Sequence, residues 1–271
     1  MKKSFLLIFA SLILVLAACG TSENGENDGQ GSDGGDEKEK LRVVTDAAYA
    51  PFEYMDKGEI VGFDVDFITA VLEEAGYEFT IENVGWDPLF VEIKDEHADF
   101  AISAITINDD RKETYDFSVP YFESRNMILV PTDSDIESGD DLKGKKVAVQ
   151  NGTTGQEVVE EILGTNNKNI SKFENNNLAI QELLAGGADA VVADNTVVLE
   201  YVKNNPDKDL KTVEDPNFES EFYGLMFPKG SELQEDINEA VKTVIENGTY
   251  AEIFEEWFGK APNVDALIDQ Q

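Results

Sequence analysis

The sequence predicts an α/β fold built as two units. Short apolar strand patterns alternate with amphipathic helical patterns along most of the chain, which points to α/β architecture with largely parallel sheets. The alternation forms two runs, one before about residue 122 and one from about 145 to 215. A length of 271 residues suffices for one large domain or two of ordinary size.

The segment 41–45 (LRVVT) is a strand of the buried type. Glu53-Tyr54-Met55 and Ile60-Val61-Gly62-Phe63 flank Asp56-Lys57-Gly58-Glu59, a hairpin signal. Asp64 is a candidate cap for a helix with Val65, Ile68, Val71, Leu72 and Ala75 on one face, stopped by Gly76. A strand at 77–81, a helix at 88–94 and a strand at 99–103 follow. The strand at 127–130 precedes Pro131. Strands at 146–149 and 170–173 alternate with helices at 154–163 and 178–184, the latter ended by Gly186-Gly187. The strand at 190–193, the helix at 195–203 and a strand at 222–227 lead to helices at 232–245 and 250–258.

The first forty residues read as an address and a tether. Lys2 and Lys3 precede an apolar run of signal-peptide length, 4–18, too short for an ordinary membrane span. It ends in Leu16-Ala17-Ala18-Cys19. Cys19 at the cut site resembles a bacterial lipobox, in which that Cys is lipidated. A plain signal peptide or an uncleaved anchor are the other readings. Residues 20–40 hold six Gly, seven acids and no hydrophobic residue, so nothing there can build a core. As a coil this tether spans roughly 25 Å.

Charge narrows the function. The chain has 21 Lys+Arg against 56 Asp+Glu, a net of −35. Such a surface repels phosphates and excludes a general nucleic-acid binder. One Cys and one His exclude an intrachain disulfide and a Cys/His zinc site. No cofactor or metal is implied. His97 sits in a charged run, and the Asn247-Gly248-Thr249 sequon is set aside because the lipobox resemblance implies a bacterium.

Ligands of open α/β sheets sit beyond the C-terminal ends of strands, so the residues just after each strand are the candidates. Asp46 and Tyr49 follow the first strand, and Trp86 follows the second. Ser103, Ala104 and Thr106 follow the third, with Arg111 five residues on. Gln150, Thr153 and Thr154 follow the strand at 146–149, and Asp194 closes AVVAD. The planar fork of Arg111 matches a carboxylate, or else pairs at the surface with Asp109 or Asp110. Gly152-Thr153-Thr154-Gly155 opens a helix whose free N–H groups suit an anion; Thr154 with Glu157 also fits an ordinary capping box. Asp194 suits an ammonium group, the N-cap of the next helix, or both. Tyr49 and Trp86 form an aromatic slot or belong to the core.

Several stretches resemble the extracytoplasmic solute-binding proteins of amino-acid ABC transporters, family three. The most specific is Gly62-Phe63-Asp64-Val65-Asp66-Phe67, although Leu72 is larger than is usual in that signature. TDAAYAPFEY (45–54), DFAISAITINDDRKE (99–113), DLKGKKVAVQNGTTGQE (141–157), GADAVVADN (187–195) and NGTYAEIFEEWFG (247–259) are also family-like.

The resemblance implies a type II periplasmic-binding-protein-like fold, two α/β lobes joined by two crossing hinge strands. Lobe one is expected at 41–121 plus 224–262 and lobe two at 126–219, after a signal peptide (1–18) and tether (19–40) and before a tail (263–271). The crossings fall near 121–125 and 219–223. Arg111 matches the family's carboxylate-binding Arg, with Thr106, Thr153 and Thr154 as hydroxyl and N–H partners. Asp194, helped by the Ala104 carbonyl, matches the Asp that takes the α-ammonium. Asp46, Tyr49, Trp86 and Gln150 match positions around the ligand side chain, with Ser103 beside them. The implied partners are a free amino acid, ABC permease subunits and, through lipid on Cys19, the outer face of a cell membrane of the Gram-positive kind. The expected ligand is cationic: arginine first, then lysine, ornithine or histidine, with glutamine the alternative. An enzyme on the same fold is the reading from another class. It would need an acid or base such as Glu53 or Asp46 beyond the groups holding the zwitterion, and no nucleophile–base pair is evident.

Overall fold

The computed structural model describes residues 40–270; the leader, Cys19 and the tether up to residue 39 lie outside the described residues. Lobe one opens with β1 (Leu41–Thr45), β2 (Ala48–Tyr49), β3 (Glu53–Asp56) and β4 (Glu59–Val61). β3 and β4 form the expected hairpin, with Lys57 and Gly58 at φ 51° and 94° in its two-residue turn. There follow α1 (Phe63–Ala75), β5 (Phe79–Asn83), α2 (Trp86–Lys94), β6 (Phe100–Ala101), α3 (Asp109–Thr114) and β7 (Tyr115–Phe117). The chain crosses on β8 (Phe122–Pro131) into lobe two. That lobe comprises β9 (Val147–Gln150), α4 (Thr154–Leu163), β10 (Ile170–Phe173), α5 (Asn176–Leu184), β11 (Ala190–Asp194), α6 (Asn195–Asn204) and β12 (Leu210–Val213). β13 (Ser220–Tyr223) returns the chain to lobe one, completed by β14 (Met226–Pro228), α7 (Leu233–Glu246), α8 (Thr249–Phe258) and α9 (Val264–Ile268).

The lobe-one sheet has the order β5-β1-β6-β14-β7, and the lobe-two sheet β10-β9-β11-β8-β12, with β13 also on β8. The sheets are mixed rather than largely parallel. β1 runs parallel to β5 and β6, and β9 to β10 and β11. β14 lies antiparallel to β6 and β7, and β8 to β11, β12 and β13. β8 and β14 are the strands on which the chain leaves and re-enters lobe one, and they enter the sheets by crossing between lobes rather than by a β-α-β step, which leaves them free to pair antiparallel.

β8 is longer than 127–130 because it serves two partners. Its first part pairs with β13, from Tyr223 opposite Phe122 to Ser220 opposite Arg125. Its second part pairs with β11 and β12. The expected strand at 222–227 divides at Gly224, where the chain passes from β8 to the lobe-one sheet. Gly224 packs so closely that a Cβ there would lie 2.7 Å from Ile107 Cδ1. The segment 263–271 is not only a tail, since α9 buries Leu267 against the lobe-one core.

Asp64 does not cap α1. Gly62 holds the N-cap position at φ 142°, and a Cβ there would lie 2.0 Å from the Phe52 carbonyl oxygen. The amides of Phe63 and Asp64 instead donate to the carbonyls of Pro51 and Phe52. Ile68, Val71 and Leu72 are buried on one face, and Gly76 ends the helix in the left-handed conformation. Above α1, Phe52 meets Phe122 edge-on at 4.8 Å, and Phe122 stacks on Tyr223 at 5.5 Å. The start of β8 and the end of β13 are therefore rooted in the aromatic core of lobe one.

Candidate functional site

The ends of the strands bring the sequence candidates together. Asp46, Tyr49, Trp86, Ser103, Ala104, Thr106 and Arg111 from lobe one, with Gln150, Thr153, Thr154 and Asp194 from lobe two, line one cavity. Asn83 ties the loop after β1 to the start of α2, accepting from the amides of Ala47 and Gly85. Further contacts join the lobes beside the cavity: Asn177 donates to the Ala48 carbonyl, and Asn151 to the Asp87 carboxylate.

Arg111 is held by the chain rather than by Asp109 or Asp110. Asn108 caps α3 by accepting from the Arg111 amide. The guanidinium donates to the carbonyls of Thr106 at 2.8 Å and Gly152 at 3.2 Å. Its carbon lies 5.5 Å from the Trp86 ring centre and 5.4 Å from that of Phe90. Burial lowers its pKa, yet an arginine keeps its proton. The site thus holds a fixed cation whose ring contacts and carbonyl bonds set the plane of its fork.

Asp194 starts α6 without capping it through its side chain. Its Oδ2 instead accepts from the hydroxyls of Tyr49 and Tyr223, the latter at 2.6 Å. Burial pushes its pKa up, opposed by the two hydroxyls and by Arg111. Tyr49 therefore turns its hydroxyl to Asp194 and its ring onto Phe52. Trp86 packs edge-on against Phe90, and its buried Nε1 has no hydrogen-bond partner.

The capping box of α4 lies one residue earlier than Thr154 with Glu157. Thr153 is the N-cap and accepts from the Gln156 amide, while the Gln156 side chain accepts from the Gly152 amide. Thr154 is thereby free of capping, and its hydroxyl donates to Glu221 at 2.8 Å.

At the other end of the cavity, Asp46 is 6% exposed, and burial raises its pKa to about 6. Gln150 Nε2 donates to Asp46 Oδ2 at 3.4 Å, and Gln150 Oε1 is buried with no partner. Ser103 supports the floor: its Oγ accepts from the Asp46 amide and donates to Glu53. Ala104 sits at φ 46°, a left-handed conformation costly for a residue with a Cβ. Asp64 holds it there by accepting the Ala104 amide at 2.9 Å and the Tyr121 hydroxyl at 2.8 Å.

Sequence reasoning missed Glu221, Tyr223 and Asn126, which act beside the cavity through Thr106, Thr154 and Asp194. Glu53, weighed only as a possible catalytic acid, is bonded beneath the floor to Ser103. Among the described residues, no group of three or more His, Cys, Asp or Glu is placed to hold a metal ion.

Comparisons with known proteins agree with this architecture. The family profile of bacterial extracellular solute-binding proteins, family 3, matches residues 41–260. A probable histidine-binding protein of Neisseria gonorrhoeae is 40% identical over 96% of this chain and 97% of its own. The arginine-binding extracellular protein ArtP of Bacillus subtilis is 33% identical over 95% of this chain and 98% of its own. Among solved structures, the arginine-, lysine-, histidine-binding protein ArtJ of Geobacillus stearothermophilus is 54% identical. It aligns with a TM-score of 0.84 over 85% of this chain and all of that one. Profile, end-to-end relatives and two-lobe architecture together show that the chain belongs to the bacterial extracellular solute-binding proteins, family 3.

Proposed function

We propose that the protein is the substrate-binding component of an ABC importer and captures a cationic amino acid, arginine first. Lysine, ornithine and histidine are the secondary ligands. In this reading the α-carboxylate docks on Arg111 with Thr106, Thr153 and Thr154, and the α-ammonium on Asp194 and the Ala104 carbonyl. A buried zwitterion needs both charges paired, and the two partners come from opposite lobes. Binding therefore favours closure, the state a permease would read.

The single observation that carries the choice of ligand is the Asp46–Gln150 pair. Gln150 turns its amide N–H to Asp46, so the pair offers the cavity a carboxylate and a bare carbonyl oxygen. Two acceptors side by side suit a guanidinium, which has five donors and no acceptor. A glutamine side chain also has N–H donors for these acceptors, but only two of them and no charge, so it would leave the Asp46 charge unpaired. The names of the relatives as histidine- and arginine-binding proteins support the same choice.

The deciding experiment is calorimetric competition of arginine, lysine, histidine and glutamine for the purified protein. Arginine is expected to bind tightest. Glutamine binding tenfold tighter than arginine, a gap of about 1.4 kcal/mol, would overturn the cationic assignment and leave the family intact.

An enzymatic role is not proposed: Glu53 is bonded beneath the floor, and Asp46 is committed to the ligand side chain. The family is extracellular. On that footing Cys19 is proposed as the lipid attachment point, holding the lobes at the outer face of the cell membrane.

A further inference from the structure

Glu221 lies on β13, the strand that returns the chain to lobe one. Its Oε2 accepts from two hydroxyls, Thr106 Oγ1 at 2.7 Å and Thr154 Oγ1 at 2.8 Å. Its Oε1 accepts from Asn126 Nδ2 at 2.5 Å. Both threonines line the cavity and come from different lobes, so Glu221 ties the two walls together behind it. A hydroxyl has one hydrogen. While both hydrogens go to Glu221, neither is available to an anion in the cavity.

The charged and titratable groups around Glu221 include Arg111 from α3, Asp194 from β11, Tyr49 from β2, Glu157 and Glu161 from α4 and Glu219 just before β13, and Asp140, Lys143 and Asp215 line the same groove. Arg111 is the buried cation of this set. An incoming carboxylate must share that cation with Glu221, and it adds a further negative charge to a buried place.

We propose that Glu221 is a positioning residue that takes up a proton from solvent when an amino-acid carboxylate docks beside Arg111, releasing a threonine hydroxyl hydrogen to that carboxylate. The inference rests on the proposed docking of the ligand carboxylate at Arg111. The proton goes to Oε2, because Oε1 faces the N–H of Asn126. The new Oε2–H then donates to one threonine oxygen, and that threonine turns its own hydrogen into the cavity. Beside Arg111 the proton offsets the charge of the docked carboxylate, while the ligand's ammonium is met by Asp194 and its side chain by Asp46. Burial, reinforced by the nearby Asp194 charge, raises the pKa of Glu221 to about 7, so protonation is accessible at neutral pH.

The sign follows directly. Uptake means that the bound form holds the proton more tightly than the free form, so affinity falls as pH rises through about 7. A loss of roughly three- to tenfold per pH unit is expected above that point. The test is calorimetry of L-arginine binding at pH 7.5 in two buffers of different ionisation enthalpy, followed by titrations from pH 6.5 to 8.5. With the free carboxyl about a quarter protonated at pH 7.5, the wild type is expected to take up between about half and three-quarters of a proton per arginine. Glu221→Gln keeps an acceptor for the hydroxyls but has no site for the proton; it is expected to show no uptake at pH 7.5 and to lose the fall in affinity between pH 7 and 8. Wild type that binds arginine with no buffer dependence overturns the proposal, and this arm needs no variant. Uptake that persists in Glu221→Gln overturns it as well. Wild type that binds no amino acid in either buffer refutes the docking reading itself, and the inference with it.

Discussion

Arg111 is fixed in place before any ligand contact is considered. The Thr106 and Gly152 carbonyls and the faces of Trp86 and Phe90 orient its fork. Arg111→Lys keeps the charge but loses the plane, so arginine affinity is expected to fall by about 2–5 kcal/mol in calorimetry. Asp46 makes a second expectation. With its pKa near 6, it is ionised at pH 7.5 and neutral by pH 5. A cationic side chain needs the ionised form, so arginine affinity is expected to drop as pH falls through about 6. Asp46→Asn should bind weakly and without that acid-side loss. Comparing the two proteins by titration at pH 7.5 and 5 checks the assignment. Most of these cavity-lining positions were legible because strand ends mark the cleft of any open α/β sheet. Glu221 was not, because one acid among 56 has no motif around it, and its hydroxyl partners lie 115 and 67 residues away. The turn of Thr154 toward Glu221 was hidden for a related reason. Both Thr153 and Thr154 satisfy a capping pattern, and only the backbone decides which one caps.

Among the elements, α1 depends on a glycine. Gly62 lets the chain turn from β4 into the helix while its Cα rests on the Phe52 carbonyl. Gly62→Ala places a Cβ 2.0 Å from that oxygen in a backbone region that favours glycine. The first turn of α1 would have to move, and Asp64 with it, so the Ala104 amide would lose its acceptor. A destabilisation of more than about 3 kcal/mol is expected in denaturant unfolding. The helix itself was readable from its apolar face and Gly76. Its start was not, because an Asp followed by apolar residues fits the capping rule, whereas this Asp is buried under Tyr121. The mixed sheets were equally unreadable. Strand patterns report burial, and β8 looks the same whether its neighbour runs with it or against it. The split of β13 from β14 is set by Gly224 against Ile107, a contact between segments far apart in sequence.

At the scale of the whole molecule, the described residues form a two-lobed body, and the proposed anchor precedes them in sequence. The proposed anchor gives a clear expectation: Cys19→Ala should release the protein into the medium or leave it unprocessed in the native host. Unchanged membrane partitioning would remove Cys19 from that role. The acidity also acts at this scale. Removing Lys2 and Lys3 with the leader leaves 19 basic residues against 56 acids, a net of −37. That field attracts cations, though it fades beyond about 8 Å at physiological salt.

The strand order of lobe one has a consequence for biosynthesis. β14 sits between β6 and β7, yet it is made only after every strand of lobe two. A ribosome working from the N-terminus therefore delivers an unfinished first sheet, then the contiguous strands β8 to β13, and only then the piece that fills the gap. Domains tend to fold as units while synthesis proceeds. The later-encoded lobe should thus reach its native state first, and the earlier-encoded one must wait for residue 228. Nascent chains arrested with residue 224 just outside the exit tunnel are expected to resist protease across β9 to β12 while remaining open to cleavage between β1 and β7. Protection in the reverse order would show that the first sheet assembles without its inserted strand.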